Sequence, residues 1–250
     1  KDNFNKNLFL NEKKGYSFFK KVKTLKKISK IEFFKNFYGY SIFGLTYFNG
    51  EKLNYFESLL FIKKKRHLFK NINKVSLHNI SQIYKNNFKK IFLYKLDKEF
   101  KNDFFNLNQK YPRTYIFIAP SHGDLVNSNI LKNKNGEICV IDFEYFSKKR
   151  IYLFDVINLI LTPVINKIVL SFGISLNLHF FFKAWLKIIF FFIGIKINNF
   201  NLNQYLDLFY LEKKYFFKMT ETHKRKYPIY NVKTIKESVK LFNYFSKLLN

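Results

Sequence analysis

Cysteine is nearly absent from this chain of 250 residues, and the one thiol, Cys139, has apolar neighbours. A disulfide within the chain is excluded, Cys139 is expected as a small buried hydrophobe, and a reducing cytoplasm is the expected location. Arginine is scarce as well: Arg66, Arg113, Arg150 and Arg225 are the only four, so 41 of the 45 basic residues are Lys. Acids number 17, and the formal charge is +28. Such a charge ordinarily points to a nucleic acid or an anionic surface. The guanidinium fork suited to bidentate phosphate recognition is largely missing, however. Lys, Asn, Ile and Phe are inflated together, as AT-rich codon drift would inflate them, and no helix-turn-helix, RNP or zinc-finger spacing appears. Nucleic acid is therefore not the expected partner, although a basic polyanion-binding module stays open as an alternative. The five histidines are too scattered for a zinc site. The chain starts at Lys1 without a charged-then-apolar leader, so no signal peptide is expected.

Long apolar runs are also few. Residues 151–197 are the most apolar part, but Lys167, His179, Lys183 and Lys187 interrupt them and Pro163 and Gly173 punctuate them. A membrane span needs about 20 mostly apolar residues. Buried helices are expected there, with contact to a membrane surface as the alternative.

One stretch organises the rest: Ser121-His122-Gly123-Asp124-Leu125-Val126-Asn127-Ser128-Asn129-Ile130-Leu131, then a polar turn, then Val140-Ile141-Asp142-Phe143-Glu144. Asn135-Gly136 is a strong signal for a two-residue type I′ hairpin turn. That turn predicts Leu131 opposite Val140, Ile130 opposite Ile141 and Asn129 opposite Asp142. Cross-strand partners have Cβ atoms about 4.5–5.5 Å apart, so an amide oxygen and a carboxylate would converge, a pair suited to Mg²⁺. Asp124 lies on the preceding loop, after an apolar strand at 115–119. Phosphoryl transfer needs chiefly metal ions and one residue to orient and deprotonate the attacking hydroxyl, and Asp124, Asn129 and Asp142 supply that set.

These residues resemble the aminoglycoside phosphotransferase and choline kinase group of kinase-like small-molecule phosphotransferases. His122-Gly123-Asp124, Asn129-Ile130-Leu131, Ile141-Asp142-Phe143-Glu144 and the downstream Asp155 carry the resemblance. It implies an α+β, protein-kinase-like bilobal fold, with a truncated N-terminal β lobe at 1–50 and a mainly helical C-terminal lobe at 51–250 holding the catalytic hairpin. It also implies ATP and Mg²⁺ as cofactors and a hydroxyl-bearing small molecule as acceptor. Asp124 becomes the catalytic base, Asn129 and Asp142 the metal ligands, His122 the brace of the loop and Asp155 its anchor. Glu12, on a first helix expected within 8–28, would pair with a phosphate-binding Lys, for which Lys1 is the candidate; Glu144 is a further nucleotide-site candidate. Val126 stands where protein kinases have a Lys two residues after the catalytic Asp, which favours a small-molecule acceptor. No Gly-rich loop precedes Lys1, so either the first strands are cut off or nucleotide binding is impaired; a pseudokinase or scaffold is the second alternative.

Along the rest of the chain, strands are expected at 31–37 and 41–47, and helices at 55–69, 80–94, 100–108, 202–219 and 232–249. Lys148, Lys149 and Arg150 read as a solvated loop, or else as phosphate-holding groups. Acids beyond residue 150 are limited to Asp155, Asp207, Glu212, Glu221 and Glu237. A polycationic aminoglycoside would want more, and choline would want an aromatic cage, to which Trp185 could contribute. A neutral or anionic acceptor such as a sugar fits the charge best.

Overall fold

The strand Tyr115–Ser121, β5 in chain order, shows how the local sequence builds the scaffold. Ile116 and Ile118 alternate inward while Tyr115 and Phe117 stay exposed, the period-two pattern of a half-buried strand. Pro120 cannot donate to a ladder, and the pairing register shifts between Ala119 and Ser121. The computed structural model describes residues 3–20, 31–37, 40–45, 47–65, 73–92, 98–112, 114–171, 178–226 and 232–249.

The described elements run α1 (Asn3–Lys20), β1 (Ile31–Phe37), β2 (Tyr40–Leu45), β3 (Glu51–Lys52), α2 (Tyr55–Lys65), β4 (Asn73–Ser76), α3 (Leu77–Phe92), α4 (Lys98–Lys110) and β5. A 3₁₀ turn at Asn127–Asn129 follows, then β6 (Ile130–Lys132), β7 (Ile138–Val140), β8 (Ser147–Ile151), α5 (Phe154–Asn166), a π-helical turn at Lys167–Ser171, α6 (His179–Ile193), α7 (Asn199–Lys226) and α8 (Val232–Leu249). The chain is a mixed α+β structure dominated by helices. Its sheets are small and antiparallel: β1-β2, β3-β6-β7 and β4-β5-β8.

Local chemistry sets several boundaries. Asn54 and Glu57 form a reciprocal capping box at the start of α2: the Glu57 amide donates to Asn54 Oδ1 (2.9 Å), and the Asn54 amide donates to Glu57 Oε2 (3.2 Å). α5 opens after Leu153 in the left-handed conformation (φ 69°) and is buried on all sides. The segment Phe154–Ser171 is long and apolar enough to cross a membrane by length and composition, yet 56% of it is buried within the protein. Asp155 and Asn158 on α5 make hydrogen bonds to the 121–125 loop, as a core helix does. Phe182, Leu186, Ile189, Phe190 and Ile193 of α6, and Leu206 to Leu211 of α7, complete an aromatic-rich core except for Asp207, whose carboxylate is paired with Lys110 (2.8 Å).

α1 lies directly on the segment after β7. Its Gly15 makes the approach possible, since a Cβ there would stand 2.4 Å from Phe143 Cβ. Tyr16 meets Phe143 edge-on at 4.8 Å and Phe19 lies tilted against it at 5.1 Å, and Asn11 Nδ2 donates to the carbonyls of Glu144 (2.8 Å) and Phe146 (2.7 Å).

Three expectations are corrected. The hairpin does not turn through two residues: Ile130 pairs with Val140, Leu131 with Cys139 and Lys132 with Ile138, one residue away from the expected register. Its loop has three residues, Lys134-Asn135-Gly136, in which Gly136 takes a positive φ (75°) and Asn135 does not. The cause is Asn133. Its side-chain oxygen accepts from the amides of Asn135 (3.0 Å) and Glu137 (2.9 Å), and its carbonyl accepts from Gly136 (3.0 Å). An Asx turn of this kind offers the backbone an alternative to the type I′ geometry. Second, residues 147–151 form strand β8 and not a solvated loop. Lys148 and Lys149 are exposed, but Arg150 is buried and paired with Glu212 of α7 at 2.7 Å, so it is not a phosphate-holding group. Third, β4 was not expected from the sequence at all; with only four residues, two of them exposed, it shows no periodicity.

Candidate active site

The 121–124 loop is held from beneath by one carboxylate. Asp155, 3% exposed, accepts from Ser121 Oγ (2.9 Å), the His122 amide (2.7 Å) and the Gly123 amide (2.9 Å). Asn158, one turn further along the same face of α5, donates to the Leu125 carbonyl (3.1 Å) and accepts from Thr162 Oγ1 (2.7 Å). Two side chains at i and i+3 therefore clamp the loop to the core helix.

His122 ties the loop to the segment carrying Asp142. The Asp124 amide donates to His122 Nδ1 (3.3 Å), so the neutral ring carries its proton on Nε2 and donates it to the Ile141 carbonyl (2.8 Å). Phe143 packs against the imidazole at 4.5 Å. Asn129 ends the 3₁₀ turn, with its Nδ2 donating to the Asp124 carbonyl (2.9 Å). Among the described residues, the opposite end of that amide, Oδ1, receives only the Ser128 hydroxyl at 3.4 Å.

Asn129 and Asp142 are not directly opposed across the hairpin, because the one-residue shift sets Ile141 against Asn129, with a 3.0 Å bond from the Ile141 amide to the Asn129 carbonyl. Asp142 leaves the ladder through a left-handed backbone (φ 65°). Such a conformation is uncommon for a non-glycine residue, and conformations of this kind cluster at functional sites. The Tyr16 hydroxyl accepts from its amide (3.2 Å). Burial first, then the neighbouring Asp124 carboxylate, raises the Asp142 pKa above the usual carboxylate range.

Two further acids join this pair. Glu144 is pushed up to about 7 by burial, then by Asp142 and Asp124. Glu12 of α1 is also pushed up to about 7, by burial, then by Asp142 and Glu144, with a partly offsetting hydrogen bond from Tyr16. Glu12, Asp124, Asp142 and Glu144 thus form a half-buried cluster of acids. Lys213 of α7 is buried behind it, its ammonium 5.5–5.7 Å from the rings of Phe154, Phe209 and Phe216. Burial lowers its pKa, while Asp124 leads the carboxylates that raise it.

The structure brings Asp124, Asn129, Asp142, His122, Asp155, Glu12 and Glu144 to this cluster and its supports; Lys1 lies outside the described residues. Sequence reasoning missed Tyr16, Asn158 and Lys213. Tyr16 stands four residues after Glu12 and Asn158 three after Asp155, so helical spacing could have found both. Nothing distinguishes Lys213 among so many lysines. Among the described residues no group of three or more His, Cys, Asp or Glu is arranged to hold a metal ion. Two cavities lie elsewhere: one of about 740 Å³ between Phe117, Tyr152, Ile195 and Tyr205, the other of about 670 Å³ between Asn11, Asn79, Gln82 and Lys149. Neither includes Asp124, Asn129 or Asp142, and the hydrogen-bonded loop and acid cluster outweigh cavity size as markers of chemistry. Comparison with protein-family models, curated proteins and solved structures found no match.

Proposed function

We propose that this chain is a small-molecule phosphotransferase of protein-kinase-like, bilobal fold, moving the γ-phosphate of ATP to a hydroxyl group with the help of Mg²⁺. The observation that carries the reading is the loop itself: Asp124 is presented by backbone that Asp155 and His122 hold, beside Asn129 and Asp142. In this reading α1 and the β1-β2 pair belong to the nucleotide-binding lobe, and residues from 51 onward to the catalytic lobe.

Two features of the site suit a divalent cation. Asn129 spends its amide nitrogen on the Asp124 carbonyl, which leaves Oδ1 largely available as a hard oxygen ligand. Burial raises the pKa values of Asp142, Glu144 and Glu12; Asp124 adds to the rise at Asp142 and Glu144, and Asp142 to the rise at Glu144 and Glu12, a crowding of carboxylates that a cation relieves. Asn129 and Asp142 would hold the ion, which neutralises phosphate oxygens when bound. Two protein oxygens suffice, since Mg²⁺ usually completes its shell with water and phosphate.

The rest of the work falls to the chain. Asp124 accepts the acceptor's hydroxyl proton as that oxygen bonds to the γ-phosphorus. The bond to the bridging oxygen breaks, and ADP departs with the electron pair. His122 keeps Asp124 and Asp142 at a set separation, and the buried Lys213 amine lies behind Asp124. A neutral or anionic acceptor such as a sugar suits a region of the chain so poor in acids.

Calorimetry with and without Mg²⁺, beside turnover on a panel of sugars, amino alcohols and aminoglycosides, tests this. Asp124→Asn is expected to keep Mg·ATP binding while turnover falls by about 10²-fold or more. Asp142→Asn is expected to lose Mg-dependent nucleotide affinity too. Unchanged turnover in Asp124→Asn refutes the mechanism, and nucleotide binding indifferent to Mg²⁺ makes a catalytically silent scaffold the better account.

A further inference from the structure

α6 is apolar on both sides. Its inner face is in the core, but Phe180 (82% exposed), Phe181, Ile188 (60%), Phe191 (89%) and Phe192 face outward. At about 100° per residue these side chains span roughly a third of the helix circumference. The ridge continues onto α2, where Phe56 (59% exposed) lies 6.1 Å from Phe192.

Lysines border this ridge on both edges. Lys187 and Lys183 follow one side of α6. On the other, Lys63 of α2 stands 4.6 Å above the Phe192 ring, next to exposed Lys64. Lys196 is exposed just beyond the end of the helix. No acid opposes them along this part of the chain, because all 17 Asp and Glu residues lie outside positions 156–206. Glu57 on α2 is engaged by Lys132 at 2.9 Å.

We infer that this ridge is a docking surface for an anionic phospholipid bilayer, with α6 lying in the membrane plane. An apolar face bordered by lysines is the pattern of an interfacial helix: the rings enter the boundary between headgroups and acyl chains while the ammonium groups reach the lipid phosphates. With 15 residues, α6 is too short to cross. A protein partner fits less well, since lysine is depleted at protein interfaces and the border offers little else for directed hydrogen bonds. A second copy fits less well again, because a two-fold contact would bring lysine edges of the same sign together.

Trp185, the chain's only tryptophan, lies on α6 and donates to the Tyr55 hydroxyl at 3.3 Å, which makes it a built-in reporter. The test uses the full chain with phosphatidylcholine vesicles containing or lacking phosphatidylserine, followed by flotation, Trp185 fluorescence and quenching by lipids brominated on the acyl chain. Binding to the phosphatidylserine vesicles with Trp185 quenching is expected, together with little binding to phosphatidylcholine alone. Phe180→Glu with Phe191→Glu alters two outward side chains, and circular dichroism checks that the helices persist; binding should weaken by about tenfold or more for each ring removed. Lys63→Ala with Lys187→Ala leaves the rings in place and should weaken binding about fivefold per lysine. The inference is overturned by absence of binding to anionic vesicles, by undiminished binding of the Phe180/Phe191 variant, or by lipid-free self-association that this variant abolishes.

Discussion

Removing the Asp155 carboxylate is the sharpest structural perturbation of the 121–125 loop. In Asp155→Ala the Ser121 hydroxyl and the His122 and Gly123 amides lose their acceptor together, at a site 3% exposed to solvent. A hydrogen bond to a charged group contributes about 1.5–3 kcal/mol, and a buried donor left unmade costs about 1–3 kcal/mol. The three bonds share one carboxylate and are not additive, so the expected loss is about 3–5 kcal/mol, at the upper end of what a single substitution costs. For a chain of this size about 2–4 °C accompanies each kcal/mol, which places the fall in melting temperature near 10 °C. Asp155→Asn keeps one acceptor oxygen but turns an NH₂ toward a backbone donor, and should lose roughly half as much. Urea unfolding measures the energy, and hydrogen exchange at the His122 and Gly123 amides locates it. A loss below about 1 kcal/mol in Asp155→Ala, or unchanged protection of those amides, refutes the anchoring role.

Glu12→Gln should flatten the pH dependence of stability. The folded-state pKa of Glu12 is raised from 4.5 to about 7, so its contribution is fully present below the unfolded pKa and is lost as pH rises through about 7. The raised value would correspond to about 3 kcal/mol if fully expressed, and solvent screening of this half-buried group reduces that to about 1–2 kcal/mol. Urea titrations at pH 5 and pH 8 should show the wild type losing that much relative to the variant; parallel behaviour of the two would contradict the burial of Glu12 beside Asp142 and Glu144. At the hairpin, Asn133→Ala removes the acceptor for Asn135 and Glu137 and should cost about 1–2 kcal/mol, measured by thermal unfolding. No loss would mean that Asn133 does not set the turn.

Most helices and the paired strands β1 and β2 are legible in the sequence because apolar period and turn residues record local geometry. The His122-Gly123-Asp124 loop, and its distance along the chain from Asp155, are equally visible. The hairpin register is not. Asn135-Gly136 advertises one turn, and the Asn133 side chain two positions earlier selects another, a competition that the dipeptide alone does not disclose.

The amino-acid sequence by itself determined most of the helices, the strands β1, β2 and β5, and which carboxylates and amides lie on the 121–129 segment, since these follow from neighbours within a few residues. Tertiary structure alone decided three things. Arg150, in a run of three basic residues, is buried against Glu212, 62 positions away; Glu12 comes near Asp142 because Gly15 lets α1 rest on Phe143; and Lys213, one of 41 lysines, comes to lie behind Asp124. The physical reason is the same each time. A charge acquires its role from what packs against it, and chain contacts of such separation leave no period in the sequence.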